Sequence, residues 1–154
     1  MAHDAREIAN WFVKRAARDG RTLSIMHLLK LIYVAHGWFL ETRDKPLISN
    51  KIEAWQYGPV IPDVYHAFRS KGIDVRAVHP EFSVPSDSDT SEFLEEIYGI
   101  YGNMPAFHLS DITHVANGPW ERASREGGYY AEIPDSLIAE HYRAKRENSQ
   151  KANS

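Results

Sequence analysis

A mainly α-helical fold is what this sequence predicts: a compact bundle of five to six helices carrying a small two- or three-stranded β element. Three observations lead there. Apolar residues recur at three- and four-residue steps through most of the chain, the spacing of one helix face. Only two stretches, 47–57 and 129–133, read as extended. Gly, Pro, Asn and Asp gather between the periodic runs, where they end one element and start the next. At 154 residues the chain fits one domain, read as 1–145 with a flexible polar tail over 146–154. A domain of this size buries roughly 70% of the surface its unfolded chain exposes, so a core alone can hold it.

The elements follow in order. Asp4 with Glu7 has the pattern of a capping box, and Ala5, Ile8, Ala9, Phe12 and Ala16 mark a helix over 4–19 that Asp19-Gly20 closes. Ser24 is a good N-cap for a second helix. Its apolar stripe (Leu28, Leu31, Ile32, Ala35 and Phe39, widened by Leu29 and Val34) is broad enough for a central position with neighbours on several sides. Gly37 inside that stripe predicts the close approach of another segment. Lys30 and Tyr33 stand three apart on one flank. They read as a surface pair, or as a solvated lysine beside a core tyrosine with a wet hydroxyl, and spacing alone favours the second.

After a turn over 42–46, residues 52–57 read as a strand with Trp55 and Tyr57 on one face. Gly58-Pro59 predicts a forced corner, and Pro62 suits the first turn of a short helix packed by Val64, Tyr65 and Phe68 and ended by Gly72. Residues 73–91 show no period and predict an irregular connection with an extended piece near 75–78. An acidic run, Asp87, Asp89, Glu92, Glu95 and Glu96, suits the positive end of the next helix. Asp89 or Ser91 caps that helix, and Phe93, Leu94, Ile97, Ile100 and Tyr101 give it a core face. Pro105 opens a helix holding Phe107, Leu109, Ile112 and Val115; Pro119 and Trp120 begin a short turn of helix up to 124. Residues 129–133 are predicted to pair with 52–57, and Pro134 or Asp135 opens a last helix with Leu137, Ile138, His141 and Tyr142 facing inward.

Composition narrows the function. The net charge is −3, which argues against a bulk polyanion binder, so nucleic acid is not the expected partner. There is no cysteine, which excludes disulfides, thiolate metal sites and thiol nucleophiles. No basic-then-apolar leader opens the chain and no apolar run approaches the ~20 residues of a membrane span, so a cytoplasmic location is expected. The one grouping with ligand-type chemistry is His108, Asp111 and His114. Steps of three precess around a helix, so the outer two diverge by about 120°, and the His-Glu-x-x-His pattern is missing. A metal-dependent enzyme built on these three is therefore the weaker alternative, and no metal or other cofactor is expected. Phosphate-binding loops and nucleophile elbows are absent. A second alternative, a nucleic-acid-binding phage or prophage regulator, rests on the basic C-terminus (Arg143, Lys145, Arg146 and Lys151 against Glu147), which is expected to fray.

Several separated motifs carry a family resemblance. Lys30-Leu31-Ile32-Tyr33 with Gly37-Trp38 is followed by Glu53-Ala54-Trp55-Gln56-Tyr57-Gly58-Pro59-Val60-Ile61-Pro62 and Val64-Tyr65. Later come Thr113-His114, then Pro119-Trp120-Glu121-Arg122-Ala123, and Ile133-Pro134 with Leu137-Ile138 and Tyr142. In this order they resemble the Panacea domain, the SocA-like antitoxin domain of bacteria and phages, over about 5–145. Ile32 stands where the family often has Leu, and Met26-His27 where it often has Lys, so no basic contact is carried over to His27. The resemblance implies a helical antitoxin that neutralises a cognate toxin by direct protein binding; some members deliver the toxin to a cytoplasmic protease. Trp, Tyr and Arg dominate interfaces. A partner-binding surface is therefore expected from Lys30, Tyr33, Trp38, Trp55, Tyr57 and Tyr65. Gly58, Pro59, Val60, Pro62, His114, Pro119 and Trp120 are expected to be structural. Trp55 leans toward the structural group, and Tyr57 and Tyr65 toward the partner.

Overall fold

Helix α1 (Ala5–Arg18) begins the fold in the computed structural model, which describes residues 2–71 and 74–152. Asp4 caps α1 by accepting from the Arg6 amide and pairing with the Arg6 guanidinium. The guanidinium bond, with the amide bond adding to it, holds the Asp4 carboxyl below its usual pKa. The predicted reciprocal partner does something else: Glu7 accepts from the Ser83 hydroxyl. Strand β1 (Leu23–Ser24) runs directly into α2 (Ile25–Arg43), and the Ser24 hydroxyl accepts from the His27 amide as an N-cap should.

A hairpin follows. Strands β2 (Glu53–Trp55) and β3 (Gly58–Val60) pair antiparallel, with Trp55 opposite Gly58. The corner is therefore at Gln56-Tyr57, and the sequence expectation of a corner at Gly58-Pro59 is corrected. Gly58 starts the return strand at φ +122, backbone space that L side chains rarely enter. Pro59 is tolerated because β3 is an edge strand and needs no donor there.

Helix α3 (Pro62–Phe68) has its proline in the first turn and continues into a 3₁₀ turn, Arg69–Lys71. The predicted stop at Gly72 lies outside the described residues. Strand β4 (Asp74–Val75) pairs with β1. The irregular connection after it is pinned to α1 by Asn10, whose buried amide donates to the His79 and Phe82 carbonyls and accepts from the His79 amide.

Helix α4 (Ser88–Tyr101) is capped by Asp87, ahead of either residue the sequence suggested. Helices α5 (Ala106–Thr113) and α6 (Pro119–Gly127) follow, and α6 runs past the expected end at 124. Strand β5 (Ala131–Glu132) pairs with β2, completing a sheet of order β3-β2-β5, the pairing expected of 129–133 with 52–57.

Helix α7 (Asp135–Ala152) closes the chain. The polar segment from 146 is helical through Ala152, and the last two positions of the expected tail lie outside the described residues. Arg146 pairs with Glu41 of α2, and Lys145 lies over the Tyr142 ring, so part of the basic charge is already used to dock the helix. The described residues form seven α-helices and two small antiparallel sheets, mainly α with minor β.

Helix α2 is the axis, buried continuously from His27 to Gly37 and again at Phe39. It touches α1, α3, α4, α5 and α7. Its second half is tightly fitted. A Cβ on Gly37 would overlap the Tyr142 ring of α7, the close approach that an interior glycine predicts. The His36 imidazole bonds Asp135 at 2.8 Å, Trp38 Nε1 donates to the Tyr101 hydroxyl at 2.8 Å, and Phe39 meets Phe93 edge-on. Ile100, expected on the core face of α4, is instead exposed, as are Phe107 of α5 and Val115 beyond its end. Leu109 alone carries the apolar contact of α5 into the deep core.

Candidate functional site

The hairpin is held in place by side chains from two helices and flanked by a third, from the residue that ends α5. Lys30, from α2, donates through Nζ to the Pro59 carbonyl at 2.9 Å. Trp120, from α6, donates to the Trp55 carbonyl at 2.7 Å. His114 stands just after α5 and packs against Trp120, with ring centroids 4.4 Å apart. Its Nδ1 bonds the Ser110 carbonyl. A carbonyl only accepts, so Nδ1 carries a proton and donates it to Ser110. Gly58 sits between the two groups: a Cβ there would lie 2.7 Å from Lys30 Nζ and 2.7 Å from His114 Cε1. The glycine is thus required by space as well as by its φ. Sequence motifs far apart in the chain meet at this one clasp.

Lys30 is 1% exposed. Burial lowers its ammonium pKa from the ordinary 10.5 to about 7. Tyr33, one turn further on, is equally buried. Its hydroxyl has no hydrogen-bond partner among the described residues, and burial raises its pKa. The reading of Lys30 as a solvated lysine does not survive, since it is buried beneath the hairpin while still lining the groove above it. The reason is tertiary: α2 is covered on this flank by the hairpin, and local spacing carries no sign of that.

Over the clasp lies a groove of about 670 Å³ whose lining includes Met26, Leu29, Trp55, Tyr57, Tyr65 and Tyr130, with Lys30 reaching it from below and Arg69 beside it. An adjoining recess of about 410 Å³ shares Met26 and Tyr57 and adds Phe107, Asp111 and His114. Tyr57 at the hairpin tip is 68% exposed, Phe107 71% and Tyr130 67%. Trp55 is gripped edge-on between Tyr65 and Tyr130, at 5.1 and 5.5 Å, and its indole N–H donates to Glu53. Tyr130 has φ +71, uncommon for a bulky residue, and is fixed there by its amide bond to the Ala54 carbonyl at 2.7 Å. The face is apolar, aromatic and rigidly mounted.

Of the six expected partner-facing residues, Lys30, Trp55, Tyr57 and Tyr65 meet at this groove. Trp38 does not: it lies about 12 Å further along α2, against Tyr142 and Tyr101. Tyr33 packs in the core. The residues expected to be structural behave differently from one another. Gly58, Pro59, His114 and Trp120 build the clasp, while Val60 lines the groove floor and Pro62 and Pro119 start helices. The candidate ligands His108, Asp111 and His114 do not converge. His108 and Asp111 are exposed, His114 is committed to the Ser110 carbonyl, and among the described residues no three His, Asp or Glu are grouped to hold a metal ion. Sequence reasoning missed Met26, Arg69, Phe107 and Tyr130. Phe107 sits at an apolar helical position, and Tyr130 was read only as a strand residue; in both cases exposure is decided by what other elements leave uncovered.

The family model described as antitoxin SocA-like, Panacea domain, matches residues 28–121. That span contains Lys30, the hairpin, His114 and Trp120, the whole clasp. The chain belongs to this antitoxin family. It is similar to the antitoxin SocA of Caulobacter vibrioides (strain NA1000 / CB15N), with 35% identity over 158 aligned residues that cover 93% of this chain and 84% of that protein. No solved structure gives a significant match. No helix among the described residues is long and apolar enough to cross a membrane.

Proposed function

We propose that this protein neutralises a cognate toxin protein in the cytoplasm by direct, non-enzymatic binding, and that the aromatic groove over the hairpin is the docking surface. One observation carries the reading: Met26, Tyr57, Phe107 and Tyr130, all exposed, gather on one face of the molecule around two adjoining recesses. Exposed apolar surface gathered in one patch marks interaction sites, and tyrosine is among the residue types that dominate binding energy. The clasp beneath supports the same reading. A hairpin pinned by Lys30 and Trp120 presents Tyr57 with little freedom left to lose, which lowers the entropic cost of association.

Co-expression with the product of the neighbouring gene tests it. Rescue from toxicity and co-purification are expected for the wild type, and loss of both for Tyr57→Ala combined with Phe107→Ala. Rescue by that variant at wild-type level contradicts the assignment of the surface. The fate of the toxin then separates two routes. A persistent complex means direct inhibition; disappearance of the toxin that depends on a host protease means delivery.

A further inference from the structure

The groove is apolar in most of its lining, and the two side chains in it able to carry a full charge near neutral pH are both basic. Lys30 and Arg69 line it, and no carboxylate does; Asp111 belongs to the recess beyond Met26 and Tyr57. The Lys30 ammonium has one acceptor among the described residues, the Pro59 carbonyl, so it has donors to spare. Arg69 forms no ion pair among the described residues. A buried ammonium with a single neutral acceptor is costly to keep and weak as a fold-stabilising device. Placed under an apolar groove, it is well placed to receive an anion, because charge-assisted hydrogen bonds are strongest where water is excluded.

We propose that the groove takes an extended peptide segment of a partner protein in which an acidic side chain stands among apolar ones. The carboxylate is received by the Lys30 ammonium, Arg69 adds positive field beside it, and the apolar side chains pack on Trp55, Tyr65 and Tyr130. This rests on the reading of the groove as the toxin-docking surface and adds the chemistry of what enters it. Charge complementarity selects the occupant: the charged residues lining the groove are basic, while the Glu53 carboxylate is taken up by the Trp55 indole and Asp111 lies in the neighbouring recess.

Two pools of short peptides test the proposal. Their flanking positions are randomised among Leu, Ile, Phe and Tyr, and the pools differ only in Glu or Gln at one central position. Titration against the full-length protein is expected to show the Glu pool binding about tenfold tighter or more. Lys30→Met, which keeps length and removes charge, is expected to erase the preference while circular dichroism and melting show an intact fold. If that variant does not fold, Arg69→Glu at its exposed position is read instead and is expected to cut the preference several-fold. Equal binding of the two pools, binding of neither, or a preference unchanged in the variant that folds overturns the inference. The docking reading fails separately. If the co-expressed toxin still requires Tyr57 and Phe107 while the pools are indistinguishable, only the carboxylate proposal falls. If the toxin ignores those two residues, the docking surface itself is wrong.

Discussion

The two halves of α2 carry the same kind of sequence and do opposite things. From His36 onward every polar group has a place: His36 on Asp135, the Trp38 indole on Tyr101, and Gly37 making room for Tyr142. Between Met26 and Tyr33 the same helix holds a buried ammonium with one acceptor, a buried tyrosine hydroxyl with none among the described residues, and an exposed methionine at the mouth of a groove. His27, in the same stretch, is buried with no partner for Nε2, and desolvation first, then Arg21, lowers its pKa. Fully satisfied polar groups are how a core holds itself together, whereas unsatisfied ones need another explanation. The difference teaches that polar groups are fully satisfied in one half only, and the ammonium left over in the other is what the proposed carboxylate site rests on.

The most disruptive change should fall in the satisfied half. Tyr142→Ala empties the space between Trp38, Tyr33 and Gly37 and is expected to cost about 3–5 kcal/mol in urea unfolding. Toxin binding by the molecules that remain folded should not change. A loss below about 1 kcal/mol would erase the contrast between the halves.

Lys30→Met probes the other half by its pH dependence. The folded pKa of about 7 lies below the ordinary 10.5, so between those values the unfolded chain binds more protons. Wild-type stability therefore rises as pH climbs through this window, and the burial penalty is fully present below it. The variant lacks that rise. It should be the more stable protein near neutral pH by roughly a few kcal/mol, less the lost Pro59 bond of about 1 kcal/mol, and the gap should close toward pH 10. Parallel pH profiles for the two proteins would show that Lys30 is not desolvated as described.

Gly37→Ala introduces a methyl against the Tyr142 ring and is expected to destabilise by about 1–3 kcal/mol, offset by up to ~1 kcal/mol of helix propensity. Melting temperature reads it, and a stabilised protein would mean the two helices are not in contact there. The smallest effect on stability in this half is Trp38→Phe, about 1 kcal/mol for the lost bond to Tyr101. Neutralisation should be untouched, and a selective loss of neutralisation would return Trp38 to the binding surface.

Local chemistry made much of the architecture legible. Ser24, Pro62 and the apolar steps of α1, α2 and α4 announce their helices because caps and periodicity act within a few residues. Pairing of 129–133 with 52–57 was readable because so few stretches of the chain look extended. The corner was misplaced by two residues because Gly-Pro is the stronger turn signal, while here the glycine is demanded by His114 and Lys30 pressing on it. The docking of the last helix by Arg146 on Glu41, 105 positions away, could not be read locally either. At the site, Tyr57 and Tyr65 were found through the aromatic motif. The burial of Lys30 and the exposure of Phe107 were not, since both run against residue type and both are set by how α5 and the hairpin lie on α2.

The aromatic face over the hairpin is proposed to dock the toxin without holding the fold together. Titration of the purified cognate toxin against Tyr57→Ala combined with Phe107→Ala, alongside the variant's melting curve, tests it most directly. A dissociation constant raised at least about thirtyfold, as expected for interface hot spots, with stability within about 0.5 kcal/mol per site of wild type, is the result predicted. An unchanged dissociation constant in a protein that melts like the wild type would contradict it.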